Sequence, residues 1–394
     1  MIDATELPAT PDGLLDRVRA LVPLVAAEAD HAERIRKPVD AVMRAIEATG
    51  AFRAYVPKRF GGYEIDIGTF IDVGTTLGAA CASTGWVTTF CMEHNWLLAH
   101  FGPEGQQAIF GKQPYVIAPG SISPNGRAKA VEGGHVLNGR WSWGTGVMHA
   151  DWVILNGIIQ HEDRRPEARL FAIPRGYVEI DDVWFASGMS ATGSNDIVAR
   201  DVFVPQHLSQ DIAPMRDGRS PGAQWHGSPT FRYPMIPFLA LTAASPLIGA
   251  AGAAVDLFER RLSERSLWGS SKKQAEGSAA QIRLGNLRIR HEANEAELRR
   301  IGGAIEAWGR NPEPCPVRER ARLRLALARV VDTARDVVTG VAQGSGASAQ
   351  LAKSPLQRIQ RDLNTASAHA IFDLDAAAEI YGQCLLGGEP HGLL

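Results

Sequence analysis

The period of the hydrophobic pattern changes twice along the chain, and that switch limits the fold more than any single residue does. Over the first third, apolar side chains recur at helical spacing: Leu14, Leu15, Val18, Leu21, Val22 and Val25, then Val39, Val42, Met43 and Ile46. Pro38 near the start and Gly50 at the end predict a helix over 38–49. A third helical region is predicted over about 65–99, closed by Phe101-Gly102-Pro103. From about Pro114 the pattern becomes short β-rich runs with glycine turns. The string Ala130-Val131-Glu132, Gly133-Gly134, His135-Val136-Leu137 predicts a hairpin, and further strands are predicted over 152–159, 170–173, 178–180 and 197–204. Residues 206–226 read as a polar loop, after which helical periodicity returns over about 239–268, 278–308, 317–343 and 356–386. The order α, β, α predicts an α+β protein rather than a βαβ repeat or a tandem array. Its expected parts are an N-terminal helical domain (1–112), a central β-barrel or sandwich domain (113–215) and a C-terminal helical bundle (216–394).

Composition excludes several classes of function. With 41 basic against 43 acidic residues in 394, and no long run of Lys or Arg, there is no electrostatic footprint for nucleic acid or an anionic membrane. The four cysteines are widely spaced, without a Cys-x-x-Cys pair, and read as reduced thiols; no metal site is expected. The start of the chain lacks the basic and apolar regions of a signal peptide, which predicts a cytoplasmic protein. Residues 233–255 carry no charge and reach the length of a membrane span. Pro234, Pro237 and Pro246 interrupt them among many small residues, so a buried helix of a bundle is expected instead.

Nucleotide fingerprints are mostly missing. Neither a Gly-x-x-x-x-Gly-Lys-Ser/Thr loop nor His-Glu-x-x-His occurs, and Gly344-Ser345-Gly346-Ala347-Ser348-Ala349 follows a helix rather than a strand. Two clusters carry chemistry. Ser83-Thr84-Gly85-Trp86 precedes His94-Asn95-Trp96 on a helical segment, where the residues suit either a pocket or a helix packing face. In the β block, Ser121-Ile122-Ser123-Pro124-Asn125-Gly126 and Gly139-Arg140-Trp141-Ser142-Trp143-Gly144-Thr145-Gly146 combine hydroxyls, glycines and tryptophans. That set suits a planar heteroaromatic ligand, and equally a glycine-rich hairpin with Trp in its core.

These pieces, with Arg265-Ser266-Leu267-Trp268-Gly269, Thr192-Gly193-Ser194 and Arg361-Asp362 followed by His369, resemble the acyl-CoA dehydrogenase superfamily over nearly the whole chain. Within it they look most like the oxygenase components of two-component flavin-dependent monooxygenases, such as p-hydroxyphenylacetate and secosteroid-phenol hydroxylases. One departure separates the branches. The Glu of the Ile-Tyr-Glu-Gly string that serves many dehydrogenases as base falls on Ala370 here. An acyl-CoA dehydrogenase or oxidase with a base elsewhere is the second reading, and a non-catalytic binding protein of the same fold the third.

The resemblance implies an acyl-CoA dehydrogenase-like fold and a monooxygenase that takes reduced FAD or FMN from a separate NAD(P)H-flavin reductase. Through a C4a-hydroperoxyflavin formed with O2 it would hydroxylate an aromatic or polycyclic substrate. It implies catalytic roles for His369 first and His94 second, with Arg265 as the cation beside the reduced flavin. Flavin contacts are implied for Ser121, Ser142, Trp143, Thr145 and Arg265, and from another subunit of a homotetramer for Gln343 and Gly344. His94, Trp96, Ser121, Phe238, His369 and Phe372 are the expected substrate contacts.

Overall fold

The computed structural model describes residues 7–163, 165–266, 269 and 271–394. The first six residues, on which the reading of the chain start rests, and Leu267 and Trp268 of the Arg265 to Gly269 string lie outside the described residues. The chain begins with α1 (Leu14–Ile35), α2 (Asp40–Ala48), α3 (Ile67–Ala80), α4 (Ala82–Leu98) and α5 (Pro103–Phe110). The region predicted as one helix over 65–99 is therefore two, because Cys81 is extended (φ −159°, ψ 114°) and turns the chain between α3 and α4. Asp66 starts α3 by accepting from the Thr69 backbone N–H at 2.8 Å. Every residue of α4 is buried except Phe90, which is half-buried, so this helix runs through the core rather than over it. Close crossing requires small residues there: a Cβ on Gly85 would lie 2.7 Å from the Gly78 nitrogen.

Seven strands follow: β1 (Gly120–Val131), β2 (Gly134–Gly144), β3 (Trp152–Ile159), β4 (Glu167–Pro174), β5 (Glu179–Asp181), β6 (Asn195–Pro205) and β7 (Ser209–Asp211). They form one mixed sheet in the order β5-β6-β2-β1-β3-β4-β7, so among the described residues the central β region is a single hydrogen-bonded sheet rather than a closed barrel or a two-sheet sandwich. The β1 and β3 pair is parallel and the other neighbours are antiparallel. Val131 pairs with Gly134, which puts Glu132 and Gly133 in the hairpin turn, one residue earlier than the sequence pattern suggests. Gly133 supplies the positive φ (76°) that such a turn requires.

The segment expected to be a polar loop, 206–226, instead holds β7, α6 (Ile212–Arg216) and α7 (Pro221–His226). Side-chain caps account for both helices, Asp211 accepting from the Ala213 N–H and Ser220 from the Ala223 N–H. The C-terminal part is α8 (Met235–Glu264), α9 (Ser278–Arg310), α10 (Val317–Ser345), α11 (Pro355–Ser367) and α12 (Leu374–Leu385). The uncharged stretch lies in α8. Its most apolar window is 89% buried, and the helix packs on α3, α4, α9 and α10 as a core helix. The helix predicted over 356–386 is broken at 368–373, where two side chains restart it. His369 accepts from the Ile371 N–H, and Asp373 caps α12 through the Ala376 N–H.

Candidate active site

A cavity of about 520 Å³ opens where α4, the start of β1, the end of β2, the 184–194 loop, α8 and the α11 to α12 break converge. Its walls are mainly apolar, with Trp86, Phe90, Leu97, Leu239 and Ile371 prominent. Polar groups enter from both clusters singled out in the sequence: His94 from α4, Ser121 and Ser123 from β1, Ser142 from β2 and Thr145 just past its end.

The His94-Asn95-Trp96 string works as three anchors from one helix to backbone outside it. Asn95 donates to the carbonyls of Cys91, Val116 and Phe52 and accepts from the Val116 N–H, pinning the segment ahead of β1 onto α4. Trp96 donates its indole N–H to the Thr230 carbonyl at 2.7 Å. His94 places Nδ1 2.7 Å from the Ala118 carbonyl oxygen, which can only accept, so Nδ1 carries the proton and Nε2 keeps its lone pair. Burial lowers the His94 pKa to about 4, so the ring is neutral at physiological pH.

His369 is wired the other way. Its Nδ1 accepts the Ile371 N–H at 3.2 Å, so in the neutral ring Nε2 carries the hydrogen. The residue presents much of its surface to the cavity, yet its ring sits inside the protein envelope beside Trp86 (5.9 Å) and Phe372 (6.3 Å). Those surroundings lower its pKa to about 4. Water filling the open cavity relieves part of that depression, and a ligand displacing the water restores it. Arg324 of α10 holds the turn by donating to the Ala370 and Ile371 carbonyls.

The β wall is shaped by irregular pairing. The β1–β3 register shifts between Ser121 and Gly126, and the β2–β6 register shifts between Trp141 and Gly144. The second shift separates two tryptophans that a regular strand would point to one face. Trp141 is fully buried, its indole donating to the Asn156 carbonyl, whereas Trp143 is 58% exposed at the cavity rim beside Trp184, with ring centroids 5.7 Å apart. Gly126 leaves room for the Trp141 ring, which a Cβ there would meet at 2.1 Å. Behind the rim, Thr145, Ser194 and Thr192 form a hydroxyl chain, with contacts of 3.2 Å and 2.6 Å.

The Arg361-Asp362 pair is a lock for this wall. Asp362 accepts the Met189 N–H at 2.5 Å, and Arg361 donates to the Ser187 carbonyl and pairs with Glu33. Burial raises the Asp362 carboxyl to about 6.

Some expected site residues lie elsewhere. Trp96 and Phe238 are core residues, packed on each other with centroids 4.9 Å apart, because both project into the helical interior rather than the cavity. Phe372 is buried behind His369 and Trp86 and does not line the cavity. Arg265, Gln343 and Gly344 are also off the cavity. Arg265 caps the end of α8 and donates to the Ser345 carbonyl at the end of α10, and both Arg265 and Gln343 are exposed. Several wall residues escaped the sequence reading, Phe90, Leu97, Leu239 and Ile371 among the apolar ones and Glu93 among the polar. Glu93, directly before His94, is the cavity's carboxyl group among the described residues, and burial holds it protonated, well above the ordinary carboxyl range. The planar tryptophan faces, the hydroxyl chain and the apolar walls fit an isoalloxazine ring and an aromatic ligand beside it.

Comparison with known proteins agrees with this geometry. The acyl-CoA dehydrogenase N-terminal domain model matches residues 13–112, and the acyl-CoA dehydrogenase C-terminal domain model matches residues 241–374. A pigment production hydroxylase of Rhodococcus sp. is 34% identical over 95% of this chain and 96% of its own. The flavin-dependent monooxygenase oxygenase subunit HsaA of Rhodococcus jostii is 32% identical over 93% of this chain and 97% of its own. Among solved structures, XiaF from Streptomyces sp., in complex with FADH2 and glycerol, superposes with a TM-score of 0.90 at 29% identity, covering 97% of both chains. The chain belongs to the acyl-CoA dehydrogenase family, in the branch of flavin-dependent monooxygenase oxygenase subunits.

Proposed function

We propose that the protein hydroxylates a phenolic aromatic substrate in this cavity, using O2 and reduced FAD or FMN supplied by a separate NAD(P)H-flavin reductase. When bound, the reduced flavin supplies the activated oxygen. Trp143, Ser142, Thr145 and the Ser194 hydroxyl would hold the flavin ring, and Ser121 would contact flavin or substrate. The apolar walls exclude water, which strengthens each polar contact inside. The phenol hydroxyl donates to His94 Nε2, and transfer of its proton there enriches the aromatic ring in electrons. From the break between α11 and α12, His369 donates its Nε2–H to an oxygen atom in the cavity, which makes it a donor rather than the base that the resemblance ranks first. The His94 to Ala118 hydrogen bond carries this reading, since it leaves the accepting nitrogen free.

A dehydrogenase needs an ionised carboxylate at the acyl chain, and Glu93 is held neutral. The exposed positions of Arg265 and Gln343 suit contacts to the flavin tail of a neighbouring subunit in a homotetramer, with the protein working in the cytoplasm. Rapid mixing of the protein and reduced flavin with oxygenated buffer and resorcinol tests the function. A near-ultraviolet transient followed by hydroxylated product is expected, and simple reoxidation without product contradicts it.

A further inference from the structure

Glu93 has one oxygen without a partner. Oε2 meets the Thr242 hydroxyl at 3.2 Å, and Oε1 has no hydrogen bond although it is buried and its residue lines the cavity. Thr242 has a single hydroxyl proton and lies closer to the Leu239 carbonyl, at 2.7 Å. That assignment makes Thr242 the acceptor of the acid proton of Glu93, so Oε1 is a bare carbonyl-type acceptor. His94 Nε2, also an acceptor, lies 4.0 Å from it, too far for a hydrogen bond. The wall therefore presents two adjacent acceptors and no donor for either. A phenol with one hydroxyl satisfies His94 and leaves the already desolvated Oε1 unpaired, whereas a second donor that reaches Oε1 gains a hydrogen bond worth roughly tenfold in affinity.

We propose that Glu93 is a specificity-determining residue that selects aromatic substrates carrying a second hydroxyl or amino group on the same ring edge as the phenol. The raised carboxyl pKa agrees with this, because a neutral acid accepts through Oε1 without bringing a charge into an apolar wall. Oxygens on neighbouring or alternate ring carbons bracket the separation of the two acceptors, so each hydroxyl reaches one of them. The proposal rests on the phenol-binding role of His94, and its test uses binding alone.

The experiment is equilibrium dialysis of the full chain, without turnover, against resorcinol and catechol and against their monomethyl ethers, 3-methoxyphenol and 2-methoxyphenol. The ethers keep the ring and the first hydroxyl but carry a methyl group in place of the second donor's hydrogen. At least one diol is expected to bind about tenfold more tightly than its ether. Glu93→Leu is expected to erase the difference. Glu93→Gln, which keeps a carbonyl at Oε1 and an N–H toward Thr242, is expected to retain it. Equal binding of diols and ethers by the unaltered protein overturns the proposal, as does a preference that persists in Glu93→Leu. If Glu93→Leu does not fold, the unaltered protein and Glu93→Gln still decide, since loss of the preference in Glu93→Gln also overturns it. Failure of hydroxylation with the preference intact would count against the proposed reaction and leave the selectivity standing.

Discussion

Two histidines line one cavity from different elements, and their backbones give them opposite hydrogen-bonding sense. On α4, His94 spends its Nδ1 proton on the Ala118 carbonyl and offers a lone pair. In the turn between α11 and α12, His369 spends its Nδ1 lone pair on the Ile371 N–H and offers a proton. Their surroundings lower both pKa values, for the cavity-exposed His369 only in part until a ligand displaces the water, so the direction of the shift does not distinguish them; the partner of the second nitrogen does. The lesson is that an acid or base role belongs to a histidine together with the backbone group behind it.

Substitution of each histidine is the strongest way to break this comparison. His94→Asn is expected to lower the rate of hydroxylation of resorcinol by about 10²–10⁴, the contribution of a general base, with substrate affinity changed far less. His369→Asn is expected to cost only about tenfold, the worth of one hydrogen-bond donor. Single-turnover product yields against pH check both, and equal losses would dissolve the distinction.

The supports of the two walls should also separate. Arg324→Met removes the donors to the Ala370 and Ile371 carbonyls, and is expected to cost about 2 kcal/mol of stability in chemical denaturation. Its effect on turnover should follow that of His369→Asn without adding to it, and should add to that of His94→Asn.

Acid titration sharpens the comparison further. His94 has a folded pKa near 4, below the ordinary value of 6.5, so between those limits the unfolded chain binds more protons than the folded one. Its contribution to stability is complete above pH 6.5 and is lost as pH falls toward 4. Melting temperature should therefore drop across that interval, and drop less in His94→Asn. The smallest effect on the cavity is expected from Arg265→Ala. That change should leave resorcinol binding within about twofold, the scale of a surface substitution, while weakening flavin binding, both read by equilibrium dialysis.

Much of this was legible in the sequence. The change of period marked the sheet between two sets of helices, and the Trp-Ser-Trp and His-Asn-Trp strings do reach or support the cavity. The break that presents His369 left a trace in Asp373, an N-cap residue inside an otherwise continuous helical pattern. Other features had no local signal. Trp96 and Phe238 share the composition of substrate contacts, but which face of a core helix meets a cavity depends on distant packing. The re-aiming of Trp143 arises from a register shift between β2 and β6. Glu93 sits in a helix buried on nearly every side, where periodicity cannot assign a face, and the partner that sets the His94 tautomer is a backbone carbonyl from outside that helix.

The most direct test of the account is single-turnover oxidation of reduced flavin by labelled O2 in the presence of resorcinol, comparing the unaltered protein with His94→Asn and counting labelled hydroxyl product per flavin. The account predicts labelled product from the unaltered protein, and from His94→Asn mainly hydrogen peroxide. Equal labelled product from both would contradict the role of His94, and its absence from both would contradict the proposed function.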